Sequence, residues 1–215
     1  MKKKPTAVII NFSTNNLLSI DRALQFIGFE TKIINEQQDI SSFDLVVLPG
    51  VGAYQRAMHQ IKTTKLLHSI NDALDKNKKF LSICLGMQLL FEESEEFGFT
   101  KGIGFFNGKV ESFKKLNSKF NTFIGWNNIN FKDQKFNSEI LNDDQMILGS
   151  NYYFVHSLCV TDSKNKEIKG ISTNGETSFV SIIHKQNVIA TQFHPEKSGK
   201  PGIKLLKEFL NPEMI

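Results

Sequence analysis

Four strand-like runs punctuate the first 84 residues: AVIIN at 7–11, FETKII at 29–34, FDLVVLP at 43–49 and KKFLSI at 78–83. Between them lie longer stretches with helical spacing. Short apolar runs suit strands buried on both faces, and their alternation with helices points to a parallel sheet covered on both sides. The stretch 16–28 sets Leu17, Ile20, Leu24 and Ile27 on one helical face and stops at Gly28. Helical spacing is also expected from the end of GVGAY to about Leu74, and again from about Gly86. Past Gly98 the texture changes, and the segments 103–113 and 120–131 read as strands and hairpins. NYYFVHSLCV (151–160), TSFVSIIHK (177–185) and NVIATQFHP (187–195) read as three further strands, with GIKLLKEFL as a closing helix. Gly175 and the Gln186–Asn187 pair suit the turns before and between the last two. The expected class is α/β, a central mostly parallel sheet flanked by helices with additional antiparallel strands.

At 215 residues the chain suits one domain with a substantial core. A net charge of +4 with no basic block beyond Lys2–Lys4 argues against nucleic-acid binding. Lys2–Lys4 precede an apolar run, as in a signal peptide, but Ala7–Ile10 is too short for a secretory core. No segment has the length of a membrane span. Two cysteines, Cys84 and Cys159, make neither a disulfide framework nor a metal-ligand spacing. The expectation is a reduced cytoplasmic protein that takes no metal and no cofactor.

Cys84 stands where the run 80–83 gives way to helical spacing. In doubly wound sheets ligands gather outside the carboxyl ends of the strands. A helix N-terminus there favours a thiolate. A sharp strand-to-helix turn lifts the side chain out of the sheet, and the Leu85 N–H then faces an oxyanion formed by attack of Cys84 on a carbonyl. Gly86 lets the turn pass close to the sheet. A lone cysteine is as readily a small buried hydrophobe, so a partner base has to be found. His59 and His68 lie in polar helical stretches and His184 beside Lys185, all three expected at the surface. His194 is followed by Pro195 and Glu196. In extended backbone Glu196 points to the same side as His194 and could orient the imidazole.

CLGMQ (84–88) and HPE (194–196) together resemble the catalytic signature of class I glutamine amidotransferases. NNLLSI (15–20), LPGVGAY (48–54), CLGMQLLFEESEE (84–96), GWN (125–127), YFVHS (153–157) and QFHPEKSG (192–199) extend that likeness to the glutaminase subunits of imidazole glycerol phosphate synthases. The resemblance implies a class I glutamine amidotransferase-like fold, with Cys84 as nucleophile, His194 as general base and acid, and Glu196 as orienter. It implies an oxyanion hole from Val51 and Leu85, whose PGVG loop could expose or hide an N–H by a peptide flip. Gly50, Gly52, Gln88, His156 and Ser157 are implied as glutamine-binding, and Asn16, Trp126 and Tyr153 as the partner interface. Without the resemblance, Trp126 reads equally as a core residue.

The implied partner is a (β/α)8 cyclase subunit that receives ammonia in a heterodimer and forms imidazole glycerol phosphate and AICAR in histidine biosynthesis. Several positions depart from the usual subunit pattern. NFSTNNL replaces most of an N-terminal Asp-Tyr-Gly-x-Gly-Asn-Leu, Ser82 a glycine and Leu158 a tyrosine, and no histidine shortly precedes GWN. These leave a second acceptor open, a cyclase-like partner that forms acetamidino groups on surface-polysaccharide sugars. They leave Cys84, His194 and Glu196 untouched.

Overall fold

The structure, a computed structural model, describes residues 4–12, 17–116, 121–161 and 166–210. The first half runs β1 (Thr6–Ile10), α1 (Leu18–Phe26), β2 (Glu30–Ile34), β3 (Leu45–Gly50), α2 (Tyr54–Thr63), α3 (Leu66–Asp75), β4 (Lys79–Cys84), α4 (Leu85–Leu89), β5 (Phe91–Ser94) and β6 (Thr100–Lys101). The second half runs β7 (Phe106–Ser112), β8 (Phe123–Asn128), β9 (Asn130–Phe131), α5 (Gln134–Ile140), α6 (Gln145–Leu148), β10 (Asn151–His156), β11 (Leu158–Cys159), β12 (Ile168–Asn174), β13 (Thr177–Lys185), β14 (Val188–Thr191) and α7 (Gly199–Leu210).

Eight strands form the main sheet in the order β2-β1-β3-β4-β14-β13-β12-β9. The pairings from β2 through β14 are parallel, and those from β14 to β9 are antiparallel. Alternation along β1 explains its unbroken apolar sequence. Ala7 and Ile9 pack towards α1 and α7, while Val8 and Ile10 pack towards α2 and α3. With both faces covered, neither set has a solvent side to be polar on. Chain order reverses between β1 and β3, which opens a crevice at the carboxyl ends of the parallel strands. The parallel register pairs Gly50 with Cys84 at those ends.

Several elements differ from the sequence reading. The helix expected through Leu74 breaks at Lys65, which takes φ of 57° between α2 and α3. The helix expected from Gly86 is α4, only five residues long, because the chain returns to extended pairing at Phe91. The strand 151–160 is interrupted at Ser157, and the last strand ends at Thr191 rather than Pro195. Helices α5 and α6 were not foreseen. Each starts on an aspartate whose side chain caps it, Asp133 accepting from the Phe136 N–H and Asp144 from the Met146 N–H.

Candidate active site

Strand β4 delivers Cys84 into α4 through a backbone that few residues adopt, φ 54° and ψ −110°. This is the strained elbow the sequence suggested. Its tightness requires Gly86, where a Cβ would overlap the backbone carbonyl of Leu48. Ser82, in place of a glycine, is accommodated because its hydroxyl donates to the same Leu48 carbonyl at 3.3 Å. Gly50 is likewise steric: a Cβ there would strike the ring of Phe12, which lies buried beneath the loop. Gly52 takes φ of 115°, a region that favours glycine.

His194 Nδ1 lies 2.7 Å from Glu196 Oε1, both side chains almost wholly buried. The carboxylate can only accept, so Nδ1 carries the proton and Nε2 is left for Cys84. The route to this contact differs from the expected extended geometry, because Pro195–Lys197 form a turn of 3₁₀ helix. The His194 backbone is tied to β10 by its N–H to the Tyr153 carbonyl at 2.9 Å. The Ser198 hydroxyl adds a second tie, accepting from the Tyr153 N–H and donating to the His194 carbonyl. Burial works against an imidazolium here, but the Cys84 thiolate and then Glu196 outweigh it and raise His194 to about 10. Thus His194 holds its proton well above its ordinary range. A five-residue helix can add little beyond its first turn, so the neighbouring charges matter more than the expected dipole.

Cys84, 4% exposed, opens onto a cavity of about 400 Å³. Val51, Gly52, Leu85, Gln88, His156 and Ser157 share its wall; Gly50 stands behind the wall against Phe12. The Leu158 carbonyl orders this wall by accepting from His156 Nδ1 at 2.8 Å and from Gln88 Nε2 at 2.9 Å. Gln88 Nε2 also donates to Gln192 Oε1 at 3.0 Å, and Gln192 Nε2 lies 3.7 Å from Cys84 Sγ. The His156 ring sits among Phe113, Phe123, Phe154 and Phe179. Burial pushes it down to about 4, and the charge on His194 adds to this against the pull of the Leu158 carbonyl. A neutral His156 with a bare Nε2 is a binding wall and not an acid.

Three residues escaped the sequence reading. Ser198 and Gln192 both lie in the quoted QFHPEKSG but drew no role. Glu96, in the turn after β5, is the one carboxylate on the cavity wall among the described residues, and it accepts from the Tyr54 N–H at 2.6 Å. The acidic run at 92–96 was its only signal. His184 was expected at the surface but is partly buried against Phe136 and Phe209.

Trp126 and Tyr153 are cross-strand partners on β8 and β10, with ring centroids 5.8 Å apart. Trp126 is 57% exposed and Ile124, on the same face, 65%. With this exposure the core alternative for Trp126 fails. Asn16 lies outside the described residues. Among the described residues no cluster could hold a metal ion, and no helix is long and apolar enough to cross a membrane.

The glutamine amidotransferase class-I family model matches residues 8–212. The chain is 42% identical to the imidazole glycerol phosphate synthase subunit HisH of Aquifex aeolicus, over 94% of each chain. It is 38% identical to the chloroplastic imidazole glycerol phosphate synthase hisHF of Arabidopsis thaliana, over 96% of this chain and 34% of that longer one. Among solved structures, PurLQS from Thermotoga maritima has a similar fold, with a TM-score of 0.72 at 19% identity, over 97% of this chain and 99% of that one.

Proposed function

Since the chain belongs to the class I glutamine amidotransferase family, we infer that it is the glutaminase subunit of an imidazole glycerol phosphate synthase, working in histidine biosynthesis. One observation carries the chemistry: a cysteine at a strained elbow facing a cavity, with a buried histidine beside it held at 2.7 Å by a carboxylate. The Cys84 thiolate attacks the side-chain amide carbon of glutamine, and the oxygen gains the negative charge. The N–H of Leu85 and a N–H of the Val51 loop stabilise that oxyanion. The His194 imidazolium gives its proton to the amide nitrogen, the C–N bond breaks, and ammonia leaves with a glutamyl thioester behind. Neutral His194 then takes a proton from water as it attacks the thioester, and glutamate departs with the thiolate restored.

Glu96 supports glutamine as the substrate, since its carboxylate on the cavity wall suits the α-ammonium group. Glu96→Gln is expected to raise KM for glutamine by about ten- to a hundredfold, the worth of one charge-assisted bond, with a smaller change in kcat. Steady-state kinetics across glutamine concentration would read this. An unchanged KM would remove Glu96 from the substrate site.

Ammonia is small and easily lost, so its release is useful only beside an acceptor. The Arabidopsis hisHF protein, a third of which corresponds to this chain, supports an acceptor that acts together with the glutaminase. The patch of Ile124, Trp126 and Tyr153 is the surface we assign to a (β/α)8 cyclase, in a heterodimer. Its strand β10 also holds the His194 backbone, so docking there would bear directly on the base. The reading takes residues 1–215 as one glutaminase domain and places it in the cytoplasm, where its two buried thiols stay free.

The decisive assay is glutamate release with and without the cyclase subunit from the same source, and with its ribonucleotide substrate. Stimulation by at least about tenfold is expected, the scale of an ordinary coupling energy between sites. No stimulation by a cyclase that still turns over added ammonia would give the chain another acceptor.

A further inference from the structure

We propose that Gln192 is the hydrogen-bond donor that holds the Cys84 sulfur in its thiolate form. This rests on Cys84 being the nucleophile of the proposed reaction. The orientation of the Gln192 amide follows from donor and acceptor roles alone. A backbone carbonyl only accepts, so the Gln88 atom against the Leu158 carbonyl is its nitrogen. That same nitrogen faces the Gln192 side chain at 3.0 Å, which must therefore present its oxygen. The Gln192 NH₂ group is left aimed at Cys84 Sγ, 3.7 Å away. Its own backbone N–H is fixed on the sheet by the Ser181 carbonyl at 2.9 Å. Gln192 is completely buried.

The sulfur has a second neighbour of opposite preference. The Val155 carbonyl lies 3.9 Å from Sγ, where it can accept from a thiol S–H but repels a thiolate. Gln192 donates, so it favours the ionised sulfur, whereas Val155 favours the protonated one. Without the amide, Gln192 would no longer oppose the preference of the Val155 carbonyl for the thiol. The ionisable groups around the sulfur are His194, backed by Glu196, on the segment after β14, with His156 from β10 and Glu96 across the cavity. All remain when only residue 192 changes.

The readout is the rate of Cys84 alkylation by iodoacetamide across pH on the full chain, with Cys84 and Cys159 peptides counted separately by mass spectrometry. In Gln192→Met the midpoint of the Cys84 profile is expected to rise by about one to two pH units, with alkylation at neutral pH slowed about tenfold or more. A purely structural role would lower the melting temperature without moving that midpoint. Gln88→Met keeps Gln192 but frees its amide to turn, so a smaller rise is expected. The double variant should rise no further than Gln192→Met alone. A wild-type midpoint in folded Gln192→Met overturns the proposal. Should that variant not fold, an unmoved midpoint in Gln88→Met does so instead. Persisting glutamine hydrolysis in Cys84→Ala would separately overturn the function reading.

Discussion

Cys84→Ala is expected to lower glutamine hydrolysis by about ten-thousand-fold or more, the usual cost of deleting a nucleophile whose partners remain in place. The prediction follows from the arrangement around the sulfur. Without the sulfur no thioester forms, so the water that His194 would later activate has nothing to attack. The cavity wall survives the change, since Gln88, His156 and Glu96 are each held by backbone groups without the thiol. Glutamine should still bind. Calorimetric titration of the variant with glutamine, beside an ammonia assay in the presence of the cyclase, would separate the two. Retained hydrolysis would move the chemistry away from residue 84, and lost binding would show the sulfur to be part of the recognition wall.

Glu196→Gln is expected to cost about a thousand- to ten-thousand-fold in kcat, by analogy with amide replacement of the carboxylate in other nucleophile–histidine–acid triads. The amide keeps the shape of the side chain but not its charge. His194 stands at about 10 because the Cys84 thiolate and Glu196 together outweigh burial, so removing one of the two lowers it. The alkaline limb of the rate profile, where the imidazolium loses its proton, should move to lower pH. Stability follows the same sign. A histidine raised above its ordinary 6.5 contributes stability in full below that value and loses it as pH rises towards about 10. The variant should lose this contribution at lower pH than the wild type, readable as melting temperature between pH 6 and 10. An alkaline limb shared by both proteins would mean that the carboxylate orients His194 without charging it.

What could be read from the sequence depended on how many residues shared one signal. Strands β1, β3 and β4 are apolar on both faces, so most residues in them repeat the same message. Helix α5 buries only Phe136 and α6 only Ile147, so neither shows a period. Their one sign was the capping aspartate at each start. Helix α4 was read too long because Leu89, Leu90 and Phe91 are buried whichever structure they adopt. At the site, the triad was legible because cysteine, histidine and glutamate advertise their chemistry. Gln192 and Glu96 do not, since an amide in an apolar strand end and one acid among several gain meaning only from their neighbours. Trp126 needed its exposure to be known before surface could be told from core.

The backbone at Cys84 costs of the order of 1–3 kcal/mol, as conformations of this kind do in any fold. A glycine at that position would release most of it. That relief would cost the nucleophile, so stability and activity pull in opposite directions at this one turn. Selection for the reaction is what keeps a side chain at this turn, and a lineage that lost its need for ammonia would be free to drift towards a firmer, silent copy.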